Sequence, residues 1–460
     1  MQQGPSPAAA LEFERELAEL LRLLGREVAQ FAYNQIEPEQ SEQLPHYLQY
    51  EAGQYRRLNR KSPNRGVATL FGKITLRRHG YRYVERDVAE PTIFPLEMQL
   101  GLVAGATPAL ADRAARALAE TGATQQTVLE RLKREHDVQW GVKKLRAVAG
   151  KVSNAIETFR REQQAAQVVQ WLRQAQESKG RNRLVLAAGR DGITLCTQPH
   201  SFYEVATTAT LSVYDRKGRR LGTVYLAFAP ELGQQKMTDE LTALIDEVLR
   251  QWSGPLPRLN YLTDAGESET QYYRRVLRKM KHPRTGERLD WRWIVDFYHA
   301  AQRLTTMGEA LFGPGRDAAA WAARMRKLLM KPNGPFRVLH AAAAMRARRK
   351  LSARARQDFQ RAYNYICTRT KHMHYAEFRR LGLPIASGIT EAACTTVFTQ
   401  RLTLSGMRWK RVGAQTILNL RVVLLSGLWD KVYQATVTAY QPLNLRTPAE
   451  SAPKRQRNAA

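Results

Sequence analysis

The chain has 460 residues, of which 72 are Lys or Arg and 42 are Asp or Glu, so its formal net charge is +30. This length allows two or three domains. So large a positive charge favours a polyanionic partner, and nucleic acid is favoured over an anionic membrane; the alternative is an unusually basic enzyme. No apolar run is long enough to span a bilayer, and residues 1–10 lack the layout of a signal peptide. The three cysteines (Cys196, Cys367 and Cys394) lie far apart, which excludes a disulfide framework and a zinc ribbon and favours a reducing, intracellular setting.

Residues 11–35 predict an amphipathic helix, because apolar side chains recur there at helical spacing. These side chains are Leu11, Phe13, Leu17, Leu20, Leu21, Leu24, Val28 and Phe31. Such a helix either packs on the next domain or dimerises, and we expect it to pack.

Apolar and polar residues alternate along residues 68–85, which predicts a β-hairpin with a turn near His79 and Gly80. Tyrosines stand among its basic residues, which are Arg77, Arg78, Arg82 and Arg86. The hairpin either follows a phosphate backbone or presents a solvated face, and the pattern does not decide between the two.

Residues 107–152 predict three short helices, the first capped by Thr107 with Pro108 at its first position. The second begins at Thr124, and the third carries the basic residues Lys143, Lys144, Arg146 and Lys151. A helix, a turn and a basic helix form the shape that enters a major groove, although short basic helices are common without this role. A long connecting helix is predicted from residue 154 to 177.

From residue 183 the pattern changes to strands and helices in a fixed order. We predict strands at residues 183–195, 206–214, 221–227, 259–264 and 291–297, with helices at residues 237–252 and 267–281. Three strands, a helix, a strand, a helix and a strand is the order of the ribonuclease-H-like fold. In that fold the first and fourth strands lie side by side.

Asp191 lies inside the first of these strands. A carboxylate inside a buried strand is costly unless it is paired, hydrogen-bonded or bound to metal, so one interpretation is that Asp191 belongs to such a site. The other, which is simpler for this stretch alone, is a hairpin turn at Asp191-Gly192. The later strands favour the first interpretation, because Asp264 ends the fourth strand and would then lie beside Asp191. The fifth strand ends in Asp296, followed closely by His299.

Residues 300–383 predict an all-helical insertion, and residues 300–380 hold 18 Lys or Arg against 4 Asp or Glu, a net charge of +14. The densest part includes Arg346, Arg348, Arg349 and Lys350. A charge run is usually a solvated face, but like charges at this density repel each other, which favours a nucleic-acid partner.

A final helix is predicted from Ser387 or Gly388 to about residue 404, with Glu391 in its first or second turn. Alone, a glutamate there is an ordinary surface residue, because helix N-termini favour acids. The segment Ser405-Gly-Met-Arg408-Trp409 follows, and the tail from Thr447 is predicted to be disordered.

Taken together, these motifs resemble DDE transposases of bacterial insertion sequences, and most closely the ISKra-type family. The string from Ser387-Gly388 through Glu391 to Ser-Gly-Met-Arg408-Trp409 is the most specific part, and Asp191 and Asp264 are weak signals individually. The resemblance covers residues 180–432 strongly and the N-terminal third loosely. Ala386 stands where the family often has glycine.

The resemblance implies a catalytic site in which Asp191, Asp264 and Glu391 bind two Mg²⁺ or Mn²⁺ ions. Three oxygen ligands suit these ions better than zinc, and two-metal sites serve phosphoryl transfer. The resemblance also places Asp296, His299, Arg408 and Trp409 near the site. The alternative for His299 is a purely structural role after the strand. Trp409 either stacks on an unstacked DNA base or belongs to the hydrophobic core.

The function implied is a transposase that binds the terminal repeats of its element, then cleaves and joins DNA strands. A nuclease or resolvase of the same fold and a catalytically idle DNA-binding protein are the alternatives. The partners expected are double-stranded DNA and further copies in a homodimer or higher oligomer, with no membrane, in the cytoplasm and nucleoid of a bacterium. The domains expected are residues 1–105, 106–180, 181–299, 300–383, 384–432 and 433–460, the fold being α/β with an α+β N-terminal region.

Overall fold

A computed structural model describes residues 6–51, 53–85, 90–199 and 202–440. The chain divides into two compact units, residues 1–158 with 430–460, and residues 159–429. This division falls inside one long helix rather than at a loop. Arg86 and the tail from Thr447 lie outside the described residues.

The first unit begins with a long helix, continues as two small sheets, and then becomes helical. Its strands and first helices are α1 (Pro7–Asn34), β1 (Tyr47–Tyr50), β2 (Gly53–Arg57), β3 (Ser62–Thr69), β4 (Gly72–Arg78), β5 (Tyr81–Tyr83) and α2 (Pro95–Gln99). Three further helices follow, α3 (Pro108–Ala119), α4 (Gln125–His136) and α5 (Val142–Glu177). Thr107 is the N-cap residue of α3 and Pro108 occupies the first helical position, as predicted. The predicted break near residue 153 is wrong, because α5 contains no proline, continues through Gly150 and runs for 36 residues.

Helix α1 forms as predicted and packs on β4, but through the side opposite most of its predicted apolar residues. None of the residues of α1, all of which the structure describes, is buried. Polar side chains hold α1 against β4 instead: Gln30 Oε1 accepts the Thr75 N–H at 2.8 Å, and Asn34 Nδ2 donates to the Thr75 carbonyl at 3.0 Å. The apolar side chains on the other side of the helix stay exposed.

The basic hairpin has its turn nine residues earlier than predicted. Strands β3 and β4 pair as antiparallel partners around Leu70 and Phe71, where Thr69 Oγ1 accepts the Phe71 N–H at 3.0 Å and Gly72 adopts a φ of 117°. The predicted turn at His79-Gly80 instead separates β4 from β5, which belongs to a different sheet.

The second unit is built on a five-stranded mixed sheet. Its strands and the helices among them are β6 (Val185–Thr197), β7 (Phe202–Tyr214), β8 (Arg220–Phe228), α6 (Gln235–Gln251), β9 (Arg258–Thr263), α7 (Glu267–Arg275) and β10 (Trp291–Val295). The strand order is β10-β9-β6-β7-β8, with β7 antiparallel to both of its neighbours and β9 parallel to both of its own. The prediction that the first and fourth of these strands lie side by side is confirmed, since β6 pairs with β9. The hairpin turn considered at Asp191 is absent, because β6 runs straight through that residue.

Residues 297–380 are helical, as predicted for the insertion. The helices are α8 (Phe297–Phe312), α9 (Arg316–Leu329), α10 (Gly334–Ala347), α11 (Ala353–Cys367) and α12 (Tyr375–Arg380). After them come α13 (Gly388–Ala393), a π-helix (Cys394–Thr399), α14 (Gln400–Leu402), α15 (Arg411–Leu425) and α16 (Trp429–Ala439). Residues 433–439, the first part of the segment expected at residues 433–460, belong to α16.

Among the described residues, no single helix is long and apolar enough to cross a membrane. The consecutive helices α15 and α16 reach the necessary length and composition only when they are taken together.

Candidate metal centre

Two aspartates lie next to each other where β6 and β9 run in parallel. The last pair of this ladder is Gly189 of β6 with Leu262 of β9, and Asp191 and Asp264 each follow two residues later. The two carboxylates are close enough that the charge of Asp264 raises the pKa of Asp191.

A third aspartate continues this row onto β10. Thr263 pairs with Val295, and Asp296 follows directly, its N–H donating to the Thr263 carbonyl at 2.8 Å. Asp264, which follows Thr263, therefore has a carboxylate-bearing neighbour on each side. The sequence indicated each of these residues separately, but their alignment depends on the pairing register.

A close contact at Gly189 brings the helix of Glu391 against the same strands. A Cβ atom at Gly189 would collide with Thr390 Oγ1 of α13, so only glycine permits this approach. Thr390 Oγ1 also forms a hydrogen bond with Thr210 Oγ1 of β7 at 2.9 Å. This docking fixes the start of α13 on the sheet, and Glu391, the next residue, contacts His299.

His299 links Glu391 to the edge of the sheet. Its Nδ1 lies 3.1 Å from Glu391 Oε1 and 3.3 Å from Asp296 Oδ1. The hydrogen bond to Asp296, followed by the charges of Asp296, Glu391 and Asp264, raises the pKa of His299 above its ordinary value in spite of its partial burial. Nδ1 of His299 therefore lies between the carboxylates of Glu391 and Asp296.

Asp296 is fully buried and anchors two neighbouring segments. Its Oδ1 accepts the His299 N–H at 2.8 Å, and its Oδ2 accepts the N–H of Ser387, just before α13. Burial alone would raise the pKa of Asp296, but the hydrogen bonds from His299 and Ser387 bring it below its ordinary value. The metal-binding atoms of Asp296, His299 and Glu391 lie within 4.8 Å of one another. Through its hydrogen bonds Asp296 also holds His299 and the segment before α13 in place.

The surroundings of Asp191 disfavour its charged form. Burial, and to a smaller extent the charge of Asp264, raises the pKa of Asp191 above its ordinary value, although the Gly192 N–H donates to its Oδ1 at 2.8 Å. The thiol of Cys394 lies 3.3 Å from Asp191 Oδ2 and donates to it. A divalent cation would offset the mutual repulsion of these two partly buried carboxylates.

Glu269, in the first turn of α7, adds a further carboxylate that sequence reasoning missed. It is 7% exposed, and burial, with smaller contributions from Asp264 and Asp191, raises its pKa to about 7. In the sequence it resembles any acidic residue at a helix N-terminus, so no local signal distinguishes it.

The helical insertion contacts the loop after Asp264. The Tyr365 hydroxyl donates to the Asp264 carbonyl at 2.6 Å, and Arg369 Nη2 donates to the Ala265 carbonyl at 3.2 Å. The guanidinium groups of Arg303 and Arg369 lie 4.9 and 4.4 Å from the centre of the Tyr365 ring. The guanidinium groups of Arg303 and Arg369 therefore lie near the carboxylates. These two arginines are 66 residues apart in the sequence, so the sequence alone did not indicate that they lie together.

The segment of Arg408 and Trp409 lies elsewhere along β6. The Gln198 N–H donates to the Trp409 carbonyl at 2.9 Å, and Trp409 pairs with Thr197, the last residue of β6. Six residues separate Thr197 from Asp191, which is about 20 Å along a strand. The indole N–H of Trp409 donates to the Leu402 carbonyl at 2.7 Å, and Arg408 is exposed.

The predicted DNA-binding residues lie on helical surfaces. Arg346 is in α10, and Arg348, Arg349 and Lys350 follow that helix as exposed residues. Arg349 is partly engaged within the insertion, where its guanidinium lies 4.0 Å from the centre of the Phe312 ring. In the other unit, the first turns of α5 carry the remaining predicted residues. These are Lys143, Lys144 and Arg146, of which Arg146 donates to Gln125 Oε1 at 3.0 Å.

No protein-family model matches this chain, and no curated protein matches it.

Proposed function

We propose that this protein is a DNA transposase of the DDE type, which cleaves and joins DNA strands at Asp191, Asp264 and Glu391. One observation carries the proposal: Asp191 and Asp264 follow the paired ends of β6 and β9 closely enough to interact, and α13, which packs on β6 at Gly189, carries Glu391. The proposal is supported by the sheet order β10-β9-β6-β7-β8, in which β7 alone runs against the other four strands, because this order is the one expected of a ribonuclease-H-like core.

The donor set fits Mg²⁺ or Mn²⁺. Asp191, Asp264 and Glu391 offer carboxylate oxygens, which are the ligands these ions prefer, and the raised pKa of Asp191 indicates a site suited to a compensating cation. Two such ions, when bound, would activate the attacking hydroxyl or water and stabilise the leaving oxygen. Glu269 lies close enough to interact with two of these carboxylates and contributes to the charge at the site.

The neighbouring residues hold this arrangement and receive the substrate. His299 orients Glu391, and Asp296 fixes both His299 and the start of α13. Arg303 and Arg369 flank Tyr365 beside Asp264, where guanidinium groups bind phosphates of the DNA backbone without reading sequence.

DNA is the partner that the charge distribution favours. The insertion carries a net charge of +14 over residues 300–380 and contacts the carboxylate edge through Tyr365 and Arg369. We propose that it holds the DNA backbone, whereas the basic start of α5, together with α3 and α4, forms a helix-turn-helix-like unit that reads the element ends. This role places the protein in the bacterial cytoplasm, at the nucleoid.

The experiment mixes the protein with Mg²⁺, end-labelled duplexes made from the DNA that flanks the gene, and a supercoiled plasmid. The proposal predicts cleaved ends and a labelled plasmid product, both lost in Asp264→Asn. Cleavage without joining would favour a nuclease or resolvase, and binding without cleavage would favour an idle DNA-binding protein; either result would overturn the proposal.

A further inference from the structure

The apolar side of α1 is the largest surface that the proposed function leaves unexplained. Its side chains are 41–67% exposed and form what we term the apolar stripe: Phe13, Leu17, Leu20, Leu21, Leu24, Val28 and Phe31. At 3.6 residues per turn they fall within an arc of about 100°. A continuous apolar patch of this kind marks an interaction site.

The opposite side of α1 already has its contacts. Gln30 and Asn34 bond to β4, Arg22 Nη1 lies 3.1 Å from Asp137 Oδ2, and the Phe71 ring packs at Gly25. The body of the unit therefore packs on one side of α1, and the residues that the structure describes leave the apolar stripe on the other side exposed.

The charge of α1 argues against the polyanionic partners expected of the rest of the chain. Residues 7–34 hold five glutamates and three arginines, a net charge of −2 in a chain of +30. Helices that lie on anionic membranes carry Lys and Arg on their polar face, and a DNA-binding helix needs the same sign. Residues 441–460 contain only two large apolar side chains, Leu443 and Leu445, which are too few to cover seven. The partner that fits is another protein surface.

The apolar stripe is complementary to itself when it is reversed. Two copies of α1 can run antiparallel with the two-fold axis between Leu20 and Leu21. Residues face each other across this axis when their residue numbers add up to 41. The facing pairs are Leu20 with Leu21, Leu17 with Leu24, Phe13 with Val28, and Ala10 with Phe31. A two-fold interface needs this self-complementarity, because the same patch serves both subunits.

We propose that α1 pairs with α1 of a second copy of this chain, antiparallel, to form a homodimer before any DNA is bound. With on the order of 100 Å² of free surface on each of seven side chains, the pair buries on the order of 1,400 Å², within the range of specific interfaces. The dimer does not depend on catalysis, so its test is separate from that of the proposed function.

The test is the mass of the full chain by light scattering, without DNA or metal. The chain weighs 52.4 kDa, and the expected mass of the wild type is twice that value. Leu20→Glu introduces two charges at the centre of the pair and should halve the mass at the same concentration. The matched control is Leu11→Glu, which makes the same change at an exposed residue outside the apolar stripe and should remain dimeric. A monomeric wild type, a dimeric Leu20→Glu or a monomeric Leu11→Glu would each overturn the proposal.

Cross-linking tests the antiparallel arrangement in a Cys367→Ser background, since Cys367 is an exposed cysteine. The double variant Phe13→Cys/Val28→Cys should form a disulfide-linked dimer on oxidation, and Phe13→Cys alone should not. Cross-linking by Phe13→Cys alone would show a parallel pair and contradict the arrangement, as would failure of the double variant to cross-link.

Discussion

Removing the carboxylate of Glu269 should stabilise the metal-free protein at high pH but not at low pH. Burial, with the nearby Asp264 and Asp191, raises the pKa of Glu269 from an ordinary 4.5 to about 7. The folded chain therefore binds more protons than the unfolded chain between these values, so the wild type loses stability as the pH rises through this window. The loss amounts to about 3 kcal/mol at about 1.4 kcal/mol per pKa unit.

Glu269→Gln cannot ionise and escapes that loss. We expect its stability relative to the wild type to be about 3 kcal/mol more favourable at pH 8 than at pH 4, whatever constant effect the amide has. For a unit of this size, a change of 1 kcal/mol corresponds to roughly 2–4 °C in melting temperature.

The assay is thermal unfolding with a chelator present, for the wild type and Glu269→Gln at both pH values. Glu267→Gln is the matched control, because it removes an exposed carboxylate from the same turn of α7. Equal differences between Glu269→Gln and the wild type at pH 4 and pH 8 would show that Glu269 ionises without cost, and would refute the view of this edge as a crowded row of carboxylates.

Three further predictions concern catalysis and DNA binding. Asp191→Asn, Asp264→Asn and Glu391→Gln should each reduce strand cleavage below detection while DNA binding survives; near wild-type cleavage by any one would remove that residue from the site. Activity should require Mg²⁺ or Mn²⁺, with Ca²⁺ supporting binding but not cleavage because its geometry is too loose, and full activity in excess chelator would contradict this. Replacing Arg346, Arg348, Arg349 and Lys350 with alanine should weaken binding to specific and random duplexes alike, and should reduce the slope of log affinity against log salt concentration by about one for each phosphate that is no longer neutralised. Replacing Lys143, Lys144 and Arg146 should instead lower the discrimination between specific and random duplexes. The reverse pattern in a salt series would exchange the two assignments.

The sequence predicted the strands of the larger sheet because buried strands are apolar runs with clear ends. The order of strands and helices, which is that of the ribonuclease-H-like fold, predicted the pairing of the first strand with the fourth. It did not predict that Asp296 aligns with Asp264, since alignment depends on register. The contact of Thr390 at Gly189 and the bond from Tyr365 to the Asp264 carbonyl join residues that are distant in the sequence.

In the N-terminal unit, periodicity predicted α1 correctly but not which of its sides meets the body. The amide groups of Gln30 and Asn34 satisfy the Thr75 backbone of β4, and apolar periodicity carries no information about such bonds. The hairpin turn was misplaced for a similar reason. His79 and Gly80 resemble a turn in sequence, whereas buried His79 bonds to Glu37 through its N–H at 2.8 Å, and the chain changes sheet there.

The most direct test of the metal centre is a crystal soaked in Mn²⁺ and measured for anomalous scattering. We predict two manganese peaks about 4 Å apart that contact Asp191, Asp264 and Glu391. A map without peaks at these carboxylates, or with a single peak held by Asp296, His299 and Glu391 away from Asp191, would contradict the proposed site.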